Sequence, residues 1–292
     1  MNLKGLWLLT RDAFVQWIND NPFQMGAALA YFTLFSMAPL LLIAIAVAGL
    51  VFGREASQIQ IIGVIADVVG APSALAIQAI IETAGRTPDS GFFSTAIGMI
   101  FLLLGAASVV GQLQDSLNAI WRVVPKTGRG IIGFLQDRLV SYSMVLSVGF
   151  LLLVSLVLSA LLSAVSRLAS GFLPIEAAAA HILDIVISFA FITLLFAVIY
   201  KLVPTIRIAW SDVWIGAAAA AMLFSFGKFL IGFYLGHSVV ASIYGAAGSL
   251  VTLLLWVYYS SLMFFFGAEL TQVYATRYGS KVAAGEMLKA HD

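Results

Sequence analysis

Apolar residues gather in six long runs separated by short polar joints: Ala27 to Gly53, Phe92 to Gln112, Leu139 to Val165, Ile182 to Val203, Val213 to Leu235 and Ala246 to Gln272. Each run is near or above the roughly 20 residues that carry a helix across a bilayer. In hydrocarbon every backbone polar group needs an internal partner, and a helix supplies all of them within one segment. The pattern therefore predicts an all-α integral membrane protein with six transmembrane helices plus interfacial amphipathic helices. Residues 1–292 read as a single membrane domain: an N-terminal interfacial helix (1–26), a six-span core (27–272) and a cytoplasmic tail (273–292).

The stretch Leu3 to Ile18 is broken by Lys4, Arg11 and Asp12 and lacks a small-residue cleavage site, so it reads as an interfacial helix and not as an export signal. Trp7, Phe14 and Trp17, with Leu3, Leu6 and Ile18, line its expected apolar side. Between the first two spans, two short apolar patterns, Ile59 to Val69 and Leu75 to Ile81, are broken at Gly70 to Pro72 and predict a helical hairpin on the outer face. After the second span, Asp115 to Gly133 predicts a short interfacial helix and turn around Trp121 and Arg122. The first three spans do not align with the last three, so an inverted-repeat architecture is not supported.

Composition agrees with a lipid solvent: 62% of residues are hydrophobic and 10% charged, against about 25% charged in an ordinary soluble domain. The net charge of +1 is dispersed over joints and tails, which excludes the concentrated basic footprint of a nucleic-acid binder. Cysteine is absent. Disulfides and thiolate metal sites are excluded with it, and the redox compartment cannot be inferred.

Lys and Arg mark the cytoplasmic side of a membrane protein. Eleven of them (Lys4, Arg11, Arg122, Lys126, Arg129, Arg138, Lys201, Arg207, Arg277, Lys281 and Lys289) fall on one side of the six-span scheme, and three (Arg54, Arg86 and Arg167) on the other. Both termini are expected in the cytoplasm.

An ionisable group inside a span costs about 2.5–3.5 kcal/mol at mid-bilayer, so each needs a partner or a wet cavity. Lys228 lies deep in the fifth span and Asp184 at a similar height in the fourth. Two readings stay open: a structural ion pair or a snorkelling side chain, and a substrate path on which Lys228 meets an anionic headgroup. Glu176, His181, Asp184 and His237 gather near the outer edge. Only His181 and Asp184 have a fixed relative spacing, short of the three protein ligands usual for catalytic zinc, so interfacial polarity is the simpler reading and no metal or other cofactor is assigned.

Pro39, near the middle of the first span, removes a backbone donor and frees the Phe35 carbonyl. A kink is the plain consequence, and Thr33 and Ser36 on one face below it can satisfy backbone or meet a polar solute. In the sixth span, Gly245, Ser249, Thr252, Trp256, Tyr259, Ser260, Met263 and Gly267 follow one side. Leu250, Leu253, Leu254, Val257 and Phe264 mostly follow the other, expected toward acyl chains. Thr252 and Tyr259 join Lys228, Asp184, Thr33, Ser36 and Pro39 as substrate-path candidates. Ser143, Ser147, Ser155, Ser159 and Ser163 form a close-packing stripe in the third span. Glu269, near the end of the sixth, is expected to pair with Arg277 or a basic joint.

The residues Ala27 to Leu42, AALAYFTLFSMAPLLL, and Tyr244 to Tyr274, YGAAGSLVTLLLWVYYSSLMFFFGAELTQVY, with WRVVP at Trp121 to Pro125 and VPTIRIAWSDVWIG at Val203 to Gly216, resemble the YihY/BrkB family of bacterial inner-membrane proteins. The resemblance runs in order over nearly the whole chain. It implies a six-span protein of the bacterial inner membrane and no agreed catalytic residues. An older ribonuclease BN label attached to the family finds no support in these residues, because no cytoplasmic carboxylate or histidine cluster and no basic groove is present.

The leading expectation is a permease or flippase-like carrier of an amphiphilic, anionic envelope molecule such as a lipid. Its rivals are a non-transporting scaffold or assembly factor for envelope machinery and, last, an intramembrane enzyme. Membrane lipids are the expected partners, nucleic acid is not, and a homo-oligomer is compatible with the small-residue faces.

Overall fold

The computed structural model describes residues 3–69, 74, 77–79, 81–82, 108–123, 177–206, 208–237 and 248–280. The third span with its serine stripe, the second span up to residue 107 and the tail beyond 280 lie outside the described residues. Among the described residues every regular element is an α-helix: α1 (Leu3–Asn19), α2 (Pro22–Phe52), α3 (Arg54–Val69), α4 (Ala177–Leu202), α5 (Trp210–His237) and α6 (Gly248–Arg277). A further helical segment covers 108–120. Within these residues Leu250–Arg277 is the stretch long and apolar enough to cross a membrane by length and composition.

The α1–α2 joint turns on Asn21, whose φ of 54° is left-handed, a conformation asparagine adopts more readily than most residues. Its carbonyl accepts from the amides of Gln24 and Met25 at 3.1 and 3.2 Å. Pro22 occupies the first turn of α2, where its missing N–H is no loss. α2 then runs unbroken for 31 residues, through Pro39. It starts five residues before the expected span and is about 46 Å long at 1.5 Å per residue, ample for a hydrocarbon core of about 30 Å. Gly53, with φ of 84°, separates it from α3.

The hub is α6, which packs against α5, α2 and α1. Around its second half a core closes from Trp121, Tyr200, Val213, Ala217, Phe265 and Ala268, all nearly inaccessible. A second cluster joins Ile45 of α2, Leu253 of α6 and Ile77 and Ile81, with Ile61 and Ile62 of α3 against it. Both arms of the expected hairpin are thus helical where described, while its break at Gly70 to Pro72 lies outside the described residues.

Three expectations are corrected. α1 docks on α6 through Leu9, Ala13 and Leu270, at four-residue spacing along α1, and Trp17 continues that stripe into the main core. Trp17 therefore leaves the lipid-facing set, whereas Trp7, Leu6, Phe14 and Ile18 stay exposed, at 69, 48, 51 and 42%. Asp115 does not open a separate helix. The segment 108–120 passes through it, since Gln112 to Ile120 holds neither glycine nor proline, and it ends only where Arg122 turns left-handed at φ 54°. The amides of Arg122 and Val123 then close onto the carbonyls of Ala119 and Asn118, both at 2.9 Å, the Schellman pattern with arginine where glycine is usual. Trp121, expected at the interface, is 2% exposed. Finally, Leu253 and Phe264 are buried at 1 and 7% and do not face lipid, because helices cover α6 on several sides.

Candidate functional site

The polar-path candidates that are described sit on α2 and α6. Thr33 is half-buried; Ser36 is buried and its hydroxyl donates to the Phe32 carbonyl at 2.7 Å. That bond is made within its own helix. Thr252 is 4% exposed. Tyr259 lays its ring directly against Gly227 of α5, so a Cβ at 227 would overlap the ring. This brings Tyr259 beside the residue that precedes Lys228. The side chains of Pro39, Asp184, Lys228, His181 and His237 lie outside the described residues, as does Glu176 entirely. The proposed Lys228–Asp184 pair and the outer histidine group therefore have no described geometry.

Beneath the Lys228 position the helices are joined by rings. Phe224, four residues earlier on α5, meets Phe196 of α4 edge-on at 5.8 Å and Trp256 of α6 at 5.7 Å. Phe196 and Tyr200 continue the layer onto Phe264, at 5.7 and 4.8 Å. The Tyr200 hydroxyl donates to the Phe264 carbonyl at 2.6 Å within this core. Edge-to-face rings of this kind add about 0.5–1.5 kcal/mol each beyond their burial. Below them Gly216 of α5 and Gly267 of α6 let the two backbones touch.

At the α1 end the polar groups are cross-tied between elements far apart in sequence. Asp212, in the first turn of α5 and 1% exposed, accepts from Ser280 Oγ at 2.6 Å, from the Ser280 amide at 3.2 Å and from Ser211 Oγ at 3.1 Å. A carboxylate there also meets the positive end of the helix dipole. Asn118 Oδ1 accepts from the amide and hydroxyl of Thr205 at 3.0 and 3.1 Å. Lys201 Nζ donates to the Ile208 carbonyl.

Arg277 does not pair with Glu269. It forms an ion pair with Asp12 of α1, which the docking of α1 brings to the last turn of α6. Glu269 is instead wholly buried against the Asp20 carboxyl, with Arg122 near enough to act on its charge. Neither Glu269 oxygen has a donor, and the Trp17 indole nitrogen, Asp20 Oδ2 and Gln272 Oε1 are likewise buried without a partner. Spacing along the chain signalled none of Tyr200, Asp212 or the Asp20–Glu269 contact. The one available signal was an acidic residue at the start of an apolar span, Asp212.

Comparison with known proteins places this architecture. The family model described as virulence factor BrkB matches residues 13–291. A UPF0761 membrane protein of Vibrio atlanticus is 30% identical over 91% of this chain and 80% of its own length. Relatives of the same description from Tolumonas auensis and Acinetobacter baylyi are 34 and 26% identical over 61 and 90% of the chain. The matches span 57 and 61% of the length of those two relatives. No solved structure matches. With the family model covering all but the chain's two extremities, the protein belongs to the virulence factor BrkB family, whose relatives include the UPF0761 membrane proteins.

Proposed function

We propose that the chain is a six-span protein of the bacterial inner membrane, with both termini in the cytoplasm, that acts as a permease or flippase-like carrier of an amphiphilic, anionic envelope molecule such as a lipid. One observation carries the reading. The ring layer Phe196–Phe224–Trp256 lies one helical turn before Lys228, and on its other side Val213, Ala217, Ala220 and Ala221 of α5 are closed off almost completely. An intramembrane lysine above a sealed half-bundle suits a cavity closed toward the cytoplasm, in which the ammonium meets an acidic headgroup. Exposed Trp7, Phe14 and Ile18 on α1 suit the headgroup level beside it.

The test is to compare, by mass spectrometry, the lipids that co-purify with the wild type and with Lys228→Met. Selective loss of anionic species in the variant supports the carrier; identical lipid profiles count against it. A non-transporting scaffold is favoured by the glycine contact of α5 with α6, since close small-residue packing serves assembly as well as motion. Among the described residues no group of His, Asp and Glu recommends catalysis, and the protein is proposed not to be an enzyme.

A further inference from the structure

α1 docks through a narrow stripe. Leu9 and Ala13 are wholly buried in a cluster with Leu270 and Val273 of α6, Trp17 meets Phe266 edge-on at 5.9 Å, and Asp12 pairs with Arg277 in the last turn of α6. These contacts also give α1 a direction. It descends from Asp12, level with the end of the helix that is long and apolar enough to cross the membrane, to Trp17, beside a residue about three turns deeper. The first half of α1 therefore sits at the headgroup level and its second half lower.

The outward side follows from the helix period. Lys4, Trp7, Arg11, Phe14 and Ile18, at steps of three and four, form one continuous stripe roughly opposite Leu9 and Ala13, and all five are exposed. Leu8 and Val15, exposed at 42 and 49%, border the stripe on the side of the two cations. Lys4 and Arg11 thus stand within an apolar face, with Trp7 and Phe14 on one flank and aliphatic side chains on the other. A helix that only floats in the interface keeps its charges on the face opposite its apolar residues. In α1 that opposite face is taken by α6. Among the described residues neither cation has an acidic partner, and Asp12, the neighbouring acid, is claimed by Arg277.

We propose that the outward stripe of α1 is a binding site for an anionic phospholipid of the adjoining leaflet, its phosphate held between Lys4 and Arg11 and its acyl chains laid along Phe14 and Ile18. The order of residue types along α1 matches the order of parts in a lipid: cations come first, at headgroup level, and the ring and aliphatic side chain follow below. The guanidinium of Arg11 can hold two phosphate oxygens at once, and Lys4, about 10 Å along the axis at 1.5 Å per residue, closes the other side as a point charge. A zwitterionic lipid brings its own cation against this pair. A headgroup with net negative charge does not, so the stripe discriminates between them. The site lies outside the bundle and involves neither Lys228 nor translocation, so it does not depend on the carrier reading.

Hydrogen exchange of the full chain, read over residues 4–18 in phosphatidylcholine nanodiscs with and without phosphatidylglycerol, tests this. The anionic lipid should raise wild-type protection there by roughly tenfold, two surface cations' worth of attraction, and leave the rest of the chain unchanged. The gain should shrink with added salt. Lys4→Gln combined with Arg11→Gln, both at exposed positions, should remove the gain; if that variant does not fold, the wild-type comparison alone decides. Inorganic phosphate added to pure phosphatidylcholine discs should not reproduce the effect. Equal wild-type protection in the two lipids, a double variant that responds as the wild type does, or full protection by inorganic phosphate alone would each overturn the proposal.

Discussion

Gly216 of α5 and Gly267 of α6 face each other so closely that a methyl group on either would press into the other's backbone carbonyl, and one on Gly216 would also strike Thr271. Alanine would gain about 1 kcal/mol of helix propensity at either position. Overlap with rigid backbone outweighs that gain. Gly216→Ala or Gly267→Ala should therefore lower stability by about 1–3 kcal/mol, read as an earlier midpoint in denaturing-detergent unfolding; an unchanged midpoint would show that the helices can part freely.

Tyr200 donates to a carbonyl that is already within helix α6, so deleting its hydroxyl strands no buried donor. Tyr200→Phe should cost about 0.5–1.5 kcal/mol, whereas Tyr200→Ala, which empties a ring site in the Phe196–Phe264 layer, should cost about 3–5 kcal/mol. The same unfolding assay separates the two.

Asp212 ties the start of α5 to Ser280, just past the end of α6. A Cβ at Gly279 would fall 2.5 Å from Asp212 Oδ1, so the chain there is moulded around the carboxylate. Asp212→Ala should remove about 1.5–3 kcal/mol of charge-assisted bonding and make the peptide bonds near 278–282 sensitive to protease, while Ser280→Ala should give a smaller effect in the same place.

The Asp12–Arg277 pair is partly exposed, at 22 and 46% of the side chains. Solvent screening limits such a pair to less than about 1 kcal/mol. A double-mutant cycle with Asp12→Ala and Arg277→Ala should return a coupling of that size, falling with added salt; a coupling several times larger would mean that the pair is shielded by lipid.

Element positions were legible in the sequence wherever apolar length alone decides, as for α2 and α4 to α6. The hydrophobic stripe of α1 announced a helix but could not tell which aromatic meets protein: Trp7 and Trp17 are equally apolar, and only the approach of α6 sends Trp17 inward. Charge pairing was legible only in part: of the two partners expected for Glu269, Arg122 of a basic joint acts on its charge while Arg277 does not. Arg277 lies two turns from Glu269 on the same helix, yet Asp12 of a different helix claims it, and Asp20 lies against Glu269 from the end of α1. The two-faced reading of α6 assumed one lipid side, which a central helix does not have. Hydroxyls were legible by type but not by use, as Ser36 shows in bonding to its own helix.

The topology expected from basic residues places both ends of the chain on one side of the membrane. Cysteine-accessibility labelling of the cysteine-free chain, with single cysteines introduced at the exposed positions Ser280 and Ile59, should label the first from the cytoplasm and the second from outside. Labelling of both from one face would remove the six-span scheme.

The carrier claim is tested most directly by following headgroup-labelled anionic lipids in proteoliposomes of the purified protein. Wild type should move label between leaflets well above protein-free vesicles, and Lys228→Met, still folded, should fall to their level. A wild type no faster than empty vesicles across several anionic headgroups, or a Lys228→Met variant as fast as wild type, would contradict the account.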